Sequence, residues 1–196
     1  ASLAAFSAQG RGLWEVSGPP LGRPAGVAVA PGDGRVYVSD PVRHAIHIYD
    51  RDGRFRATRG RRGSAAGEFN YPTFLWTDRA GRVGVADTGN FRVQWLNAEA
   101  EPRSAFGEMG DRPGYLARPK GGAVDREGHL YLVDGAMEMV QIFDGAGRLL
   151  LYFGRSGAAE GEFSLPAGIA LDAQDRIFVA DAYNGRVQVF RYLPSR

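Results

Sequence analysis

The chain has 196 residues, 44% of them hydrophobic, with 24 basic against 22 acidic side chains and a formal net charge of +2. That length carries one sizeable core, or an array of units that bury each other's apolar faces. No stretch approaches the roughly 18 apolar residues of a membrane-spanning helix, the absence of cysteine excludes disulfides and thiolate sites, and so small a net charge names no partner.

The dominant feature is a repeat. Asp40, Asp87, Asp134 and Asp181 follow one another at intervals of 47, as do Gly60, Gly107 and Gly154, and Pro72, Pro119 and Pro166. A fixed period of this size marks stacked supersecondary units. In chain order, Ser2–Phe6 reads as a strand whose Phe6 and Gly10 fit the phase of Phe106 and Gly110, an outer strand and its connector. Repeat one places Pro24 one residue early, because the turn Pro31–Gly34 carries an extra residue. Repeat two has Phe74 where the others have Gly26, Gly121 and Gly168, and Trp76 where they have Ala28, Ala123 and Ala170. It also has Gly84 where they have Tyr37, Tyr131 and Phe178. Positions two apart on a strand share a face, and a hairpin turning at Ala80-Gly81 sets Trp76 against Gly84. This predicts a large-for-small exchange that conserves core volume. Phe74 has no compensating glycine and becomes a candidate pocket or partner anchor. Repeat three shows the turn Asp144–Gly147 and a strand from Arg148 to Phe153 that stops at Gly154. Repeat four is the clearest, with strands over 166–172, 176–181 and 186–190 separated by the turns 173–175 and 182–185.

Each unit is thus a four-stranded antiparallel meander, which at this length is a propeller blade. The sequence pattern is Pro-x-Gly-apolar-Ala, a turn, apolar-x-Val-x-Asp, Asn-x-Arg-Val-Gln-Val-Phe, then Gly-x-x-Gly-x-x-x-Gly-Glu-Phe. It resembles the NHL-repeat family of β-propellers over essentially the whole chain. Repeat four carries nearly all of it, and repeat two keeps Asp87, Asn90, Arg92, Val93 and Gln94. Repeat one departs with Arg43, Ala45 and His47, and repeat three with Met137 and Met139. The expected fold is all-β, a single propeller domain over 1–196 with blades near 20–66, 67–113, 114–160 and 161–193 plus 2–6. In one arrangement the N-terminal strand completes the last blade and closes a ring of four, removing exposed strand edges. In the other, the chain is an open segment of a larger propeller, since family members usually have about six blades.

The start of strand one, the end of strand two and the turn into strand three open on one rim, which gathers the four aspartates and many arginines. Each aspartate ends a strand and can accept backbone N–H bonds in the turn; four carboxylates could otherwise hold a hard cation. Gln94, Gln141 and Gln188, with His47 as fourth member, read as a structural polar position. The family includes a zinc-dependent lyase, but His44, His47 and His129 do not form its multi-histidine arrangement. No nucleophile–base pair or phosphate loop is legible, so no catalytic, cofactor or metal residue is assigned. The expected function is a non-catalytic scaffold or accessory subunit that binds another protein or a multisubunit complex. Its contact residues are Arg43, Phe74, Phe91, Arg92, Arg118, Tyr183 and Arg186, because Arg and aromatics supply most strong interface anchors. Single-stranded RNA binding and a cofactor-poor lyase or hydrolase are the alternatives. A start at Ala1 without Met and the likeness to bacterial secreted propellers point to an extracytoplasmic or periplasmic location.

Overall fold

The structure, a computed structural model, describes residues 1–192. Residue 193, the expected end of the last blade, lies outside them. The chain divides into an N-terminal unit, Ala1–Asn90 with Gln94–Ser104, and a C-terminal unit, Phe91–Val93 with the residues from Ala105 onward. Among the described residues all regular structure is β, apart from one short 3-10 turn at Thr88–Asn90. The four repeats are blades of a β-propeller.

The N-terminal unit opens with a hairpin of β1 (Ser2–Phe6) and β2 (Gly12–Ser17). Blade one follows, with β3 (Gly26–Val29), β4 (Val36–Asp40), β5 (Ala45–Tyr49) and β6 (Phe55–Arg59) in sequential antiparallel order. Blade two is β7 (Pro72–Thr77), β8 (Val83–Asp87), β9 (Arg92–Leu96) and β10 (Pro102–Phe106). In the C-terminal unit, blade three is β11 (Pro119–Val124), β12 (Leu130–Asp134), β13 (Met139–Phe143) and β14 (Leu149–Phe153). Blade four shows β15 (Ile169–Leu171), β16 (Arg176–Asp181) and β17 (Arg186–Arg191) as a three-stranded sheet.

The expectation that Ser2–Phe6 completes the last blade is corrected. β1 pairs with β2, and neither strand belongs to the β15–β17 sheet. The hairpin register slips at the residue before the turn, between Ala5 and Phe6, as it does between Ile48 and Tyr49 and between Ile142 and Phe143. The hairpin therefore corresponds to the third and fourth strands of a blade. The connector that follows it runs only from Gly18 to Pro24, whereas the next runs from Gly60 to Pro72. A 47-residue phase cannot be carried back across a connector shortened in this way.

Alternation along the strands sends apolar side chains into the gaps between neighbouring sheets. In the N-terminal unit Tyr37, Ile46, Ile48, Phe69, Val83, Val85 and Leu96 form one buried cluster. In the C-terminal unit Tyr131, Val133, Val140, Ile142, Phe163, Ile177 and Val179 form its counterpart. Innermost strands meet backbone to backbone. A Cβ at Gly26 would lie 2.5 Å from the carbonyl oxygen of Thr73, and one at Gly121 would lie 2.7 Å from that of Ala167. This close approach requires glycine. The predicted exchange in blade two is present: Trp76 faces Gly84 across the β7–β8 pair, and its indole occupies the space a side chain at 84 would need. Trp76 is buried, edge-to-face with Trp95 at 6.0 Å.

Candidate functional site

Every second strand ends on a buried aspartate. Its carboxylate ties down a connector amide some seventeen residues upstream. Asp87 accepts the N–H of Asn70 at 2.7 Å and Asp181 that of Ser164 at 2.8 Å. Asp134 accepts those of Ala117 at 2.7 Å and Arg118 at 3.0 Å, and Asp40 those of Gly22 at 2.6 Å and Arg23 at 3.1 Å. The remaining acceptor capacity is filled within the blade. Asp87 Oδ2 receives Asn90 Nδ2 at 2.8 Å and Gln94 Nε2 at 3.1 Å. Asp181 Oδ2 receives Asn184 at 2.9 Å, Gln188 at 3.1 Å and Arg186 Nε at 2.8 Å. Asp134 takes the turn amides of Ala136 and Met137 instead. Burial pushes the Asp40 carboxyl up, but the N–H bonds from Gly22, Arg23 and Arg43 outweigh it and hold it below the ordinary carboxylate range. Burial acts the same way on Asp181, and the Ser164 N–H, Asn184 and Arg186 outweigh it. Asp40 and Asp134 accept turn amides as expected from the sequence, and all four carboxylates also hold the incoming connector.

The glutamine row closes the same latch. Gln94 accepts the N–H of Gly67 at 3.0 Å and donates to the Glu68 carbonyl at 2.7 Å. Gln141 does so with Gly114 and Tyr115, and Gln188 with Gly161 and Glu162. Asn90 and Asn184 add a bond to the carbonyls of Gly63 and Gly157. Two of the connectors are also braced internally by an ion pair. Arg61 pairs with Glu68 at 2.7 Å and Arg155 with Glu162 at 3.0 Å, while Phe69 and Phe163 are wholly buried beneath them. Blade one differs because its shortened connector offers no such amide and carbonyl. His47 fills the glutamine position, with Nδ1 2.9 Å from Thr58 Oγ1 and Nε2 3.4 Å from Asp40. Burial pushes its imidazole below the ordinary value of 6.5, against the pull of Asp40.

The seven expected contact residues fall in different situations. In the N-terminal unit Arg43 is half-exposed, its Nε 3.9 Å from Asp40, and Phe74 is partly buried on β7. In the C-terminal unit Tyr183 is 79% exposed and Arg118 is exposed. Phe91 and Arg92 are partly buried. Phe91 sits at φ 55° in the left-handed turn residue that precedes strand three, where blade four has Gly185. Arg186 is turned inward: besides Asp181 it donates to the carbonyls of Ala159 at 2.6 Å and Glu162 at 3.0 Å. Further large apolar residues are exposed, Tyr71 in the N-terminal unit and Met109, Tyr115 and Leu165 in the C-terminal unit, and composition did not flag them. Lys120 is partly buried, and desolvation and Arg118 lower its pKa against the pull of Asp134. His44 accepts the Tyr71 N–H at 3.1 Å, and His129 lies 3.0 Å from Asp125. Among the described residues, no three His, Cys, Asp or Glu side chains are grouped to hold a metal ion.

Several solved structures share the fold. Virginiamycin B lyase from Staphylococcus aureus, with quinupristin, aligns at 14% identity and a TM-score of 0.68, over 100% of this chain and 64% of that one. A streptogramin B lyase aligns at 14% identity and 0.64, over 100% and 60%. An auxiliary nutrient binding protein from Bacteroides ovatus aligns at 15% identity and 0.67, over 90% and 50%. The chain thus spans 64% or less of the length of these proteins. No curated protein sequence matches it significantly. Residues 163–190, the connector and strands of repeat four, match the NHL repeat. That match covers one repeat of the four, and the aspartate that holds the connector recurs in the other blades, so the chain resembles the NHL-repeat family of β-propellers.

Proposed function

We propose that this protein is a non-catalytic scaffold or accessory subunit that binds another protein at the connector end of its C-terminal unit. One observation carries the reading. The buried carboxylates, amides and several guanidiniums at that end are committed to holding connectors, and several of the side chains left facing solvent there are large apolar or aromatic ones. Met109 is 69% exposed, Tyr183 79%, and Tyr115 and Leu165 each 39%. Arg118 is exposed as well, and Phe91 holds a backbone conformation that glycine adopts more readily. Aromatics with an occasional Arg make the strong anchors of protein interfaces. In the N-terminal unit Arg43 and Phe74 remain candidate contacts of the same kind.

RNA binding would draw on the same arginines, but Arg61, Arg155 and Arg186 are already neutralised by Glu68, Glu162 and Asp181. A lyase or hydrolase reading rests on the lyase structures alone, and the three histidines serve the backbone of Tyr71, the Thr58–Asp40 pair and Asp125.

The test is native mass spectrometry of the protein recovered from its source, beside a Met109→Asp, Tyr183→Asp variant of unchanged circular dichroism. One stoichiometric protein partner, retained in high salt and lost in the variant, supports the reading. A nuclease-removable nucleic acid, or a partner that the variant retains, would overturn it, as would a protein that carries no partner.

A further inference from the structure

The outermost strand of blade three is unlike its counterparts. β14 reads Leu-Leu-Leu-Tyr-Phe, whereas β6 reads Phe-Arg-Ala-Thr-Arg and β10 Pro-Arg-Ser-Ala-Phe. Among the described residues β14 pairs only with β13, so its other edge is open. Leu150 is 51% exposed, Leu151 44% and Tyr152 49%. Exposed edge strands normally carry charge or proline to prevent further pairing. β6 and β10 do; β14 carries neither. The fold does not demand this. The groove between blades three and four is lined by Ile142, Leu151, Phe153, Ile177 and Phe190, around a cavity of about 290 Å³. Its equivalent 94 residues earlier has Ala57 and Arg59 in place of Leu151 and Phe153, and opens to about 650 Å³ among charged side chains.

We infer that β14 is a homodimer edge, pairing antiparallel with β14 of a second copy about a twofold axis at Leu151. The strand is self-complementary in that register. Leu149 meets Phe153, Leu150 meets Tyr152, and Leu151 meets its own copy, so every cross-strand pair is apolar on both faces. The flanking arginines do not oppose each other, since Arg148 falls opposite Gly154 and Arg155 opposite Gly147. Both are also neutralised within the chain, Arg148 by Asp144 at 2.7 Å and Arg155 by Glu162 at 3.0 Å. An edge without net charge gives no preference for an acidic or basic partner, and a copy of itself matches it. Centred on β6, the same operation would set Phe55 against Arg59. Because the contact is isologous, it closes at two subunits.

Sedimentation of the intact protein through the micromolar range should show a species of twice the 21.2 kDa chain mass. Leu151→Lys with Tyr152→Lys should weaken that dimer about tenfold or more, with circular dichroism unchanged, while Ala57→Lys on β6 leaves it intact. The chain has no cysteine, so Leu151→Cys supplies an independent readout: mild oxidation should give a cross-linked dimer, and Ala57→Cys should not. A monomer throughout the range, open-ended assembly, or a dimer indifferent to the lysine pair would overturn the inference.

Discussion

Blades one and four solve the same problem with different parts. In blade four, Asp181, Asn184, Arg186 and Gln188 converge on a long connector and hold it at Ser164, Gly157, Ala159, Glu162 and Gly161. In blade one the connector is several residues shorter, and Asp40 alone captures it through the amides of Gly22 and Arg23. The asparagine and glutamine positions have then lost their partners and carry Arg43 and His47. The aspartate is therefore the constant part of the device, while the glutamine follows connector length. Irregular residues in repeat one mark an absent connector segment more than a site of chemistry.

Replacing the carboxylate should have the largest effect on this scheme. Asp181→Ala leaves the Ser164 N–H without its acceptor and removes one bond each from Asn184, Gln188 and Arg186, and should cost about 3–5 kcal/mol in urea denaturation. If the loss is small, the carboxylate is not what holds the connector. Gln188→Ala should cost less, about 1–2 kcal/mol, because Asp181 still holds Ser164. The same change at Gln141 should match it, since its two connector bonds are alike.

Blade one should show a pH dependence that blade four lacks. The folded pKa of His47 lies below its ordinary value of 6.5. The unfolded chain therefore takes up the proton first. The associated stability is complete above that value and declines as pH falls towards the folded pKa. Stability measured from neutral pH down to pH 5 should slope downward, and His47→Gln should flatten the slope. The carboxylates Asp40 and Asp181, held below their ordinary 3.8, add a separate loss only as pH falls below that range. The smallest effect is expected at Tyr183. Tyr183→Ser should leave stability within about 0.5 kcal/mol, because the side chain is 79% exposed and holds no connector.

Much of this was legible in the sequence wherever a residue and its partner share a period. The aspartates were readable as turn caps, and Trp76 against Gly84 as an exchange, because both ends of each interaction fall at fixed phases. The glutamines were readable as structural but not as latches, since their partners are backbone atoms 26–27 residues upstream. Arg186 read as a contact residue for the same reason, as nothing local shows that it reaches the carbonyl of Ala159. The N-terminal hairpin was misplaced because a shortened connector breaks the phase. The apolar run of β14 was visible, but only its place at the outer edge of a blade makes it unusual.

The most direct test of the latch is hydrogen–deuterium exchange at the amides of Gly67, Gly114 and Gly161. All three sit in glycine-rich surface connectors, where exchange close to the unstructured rate would be the default. Bonded to Gln94, Gln141 and Gln188, they should instead exchange slowly, and Gln188→Ala should release Gly161 while Gly67 stays protected. Free exchange at all three in the intact protein would contradict the account.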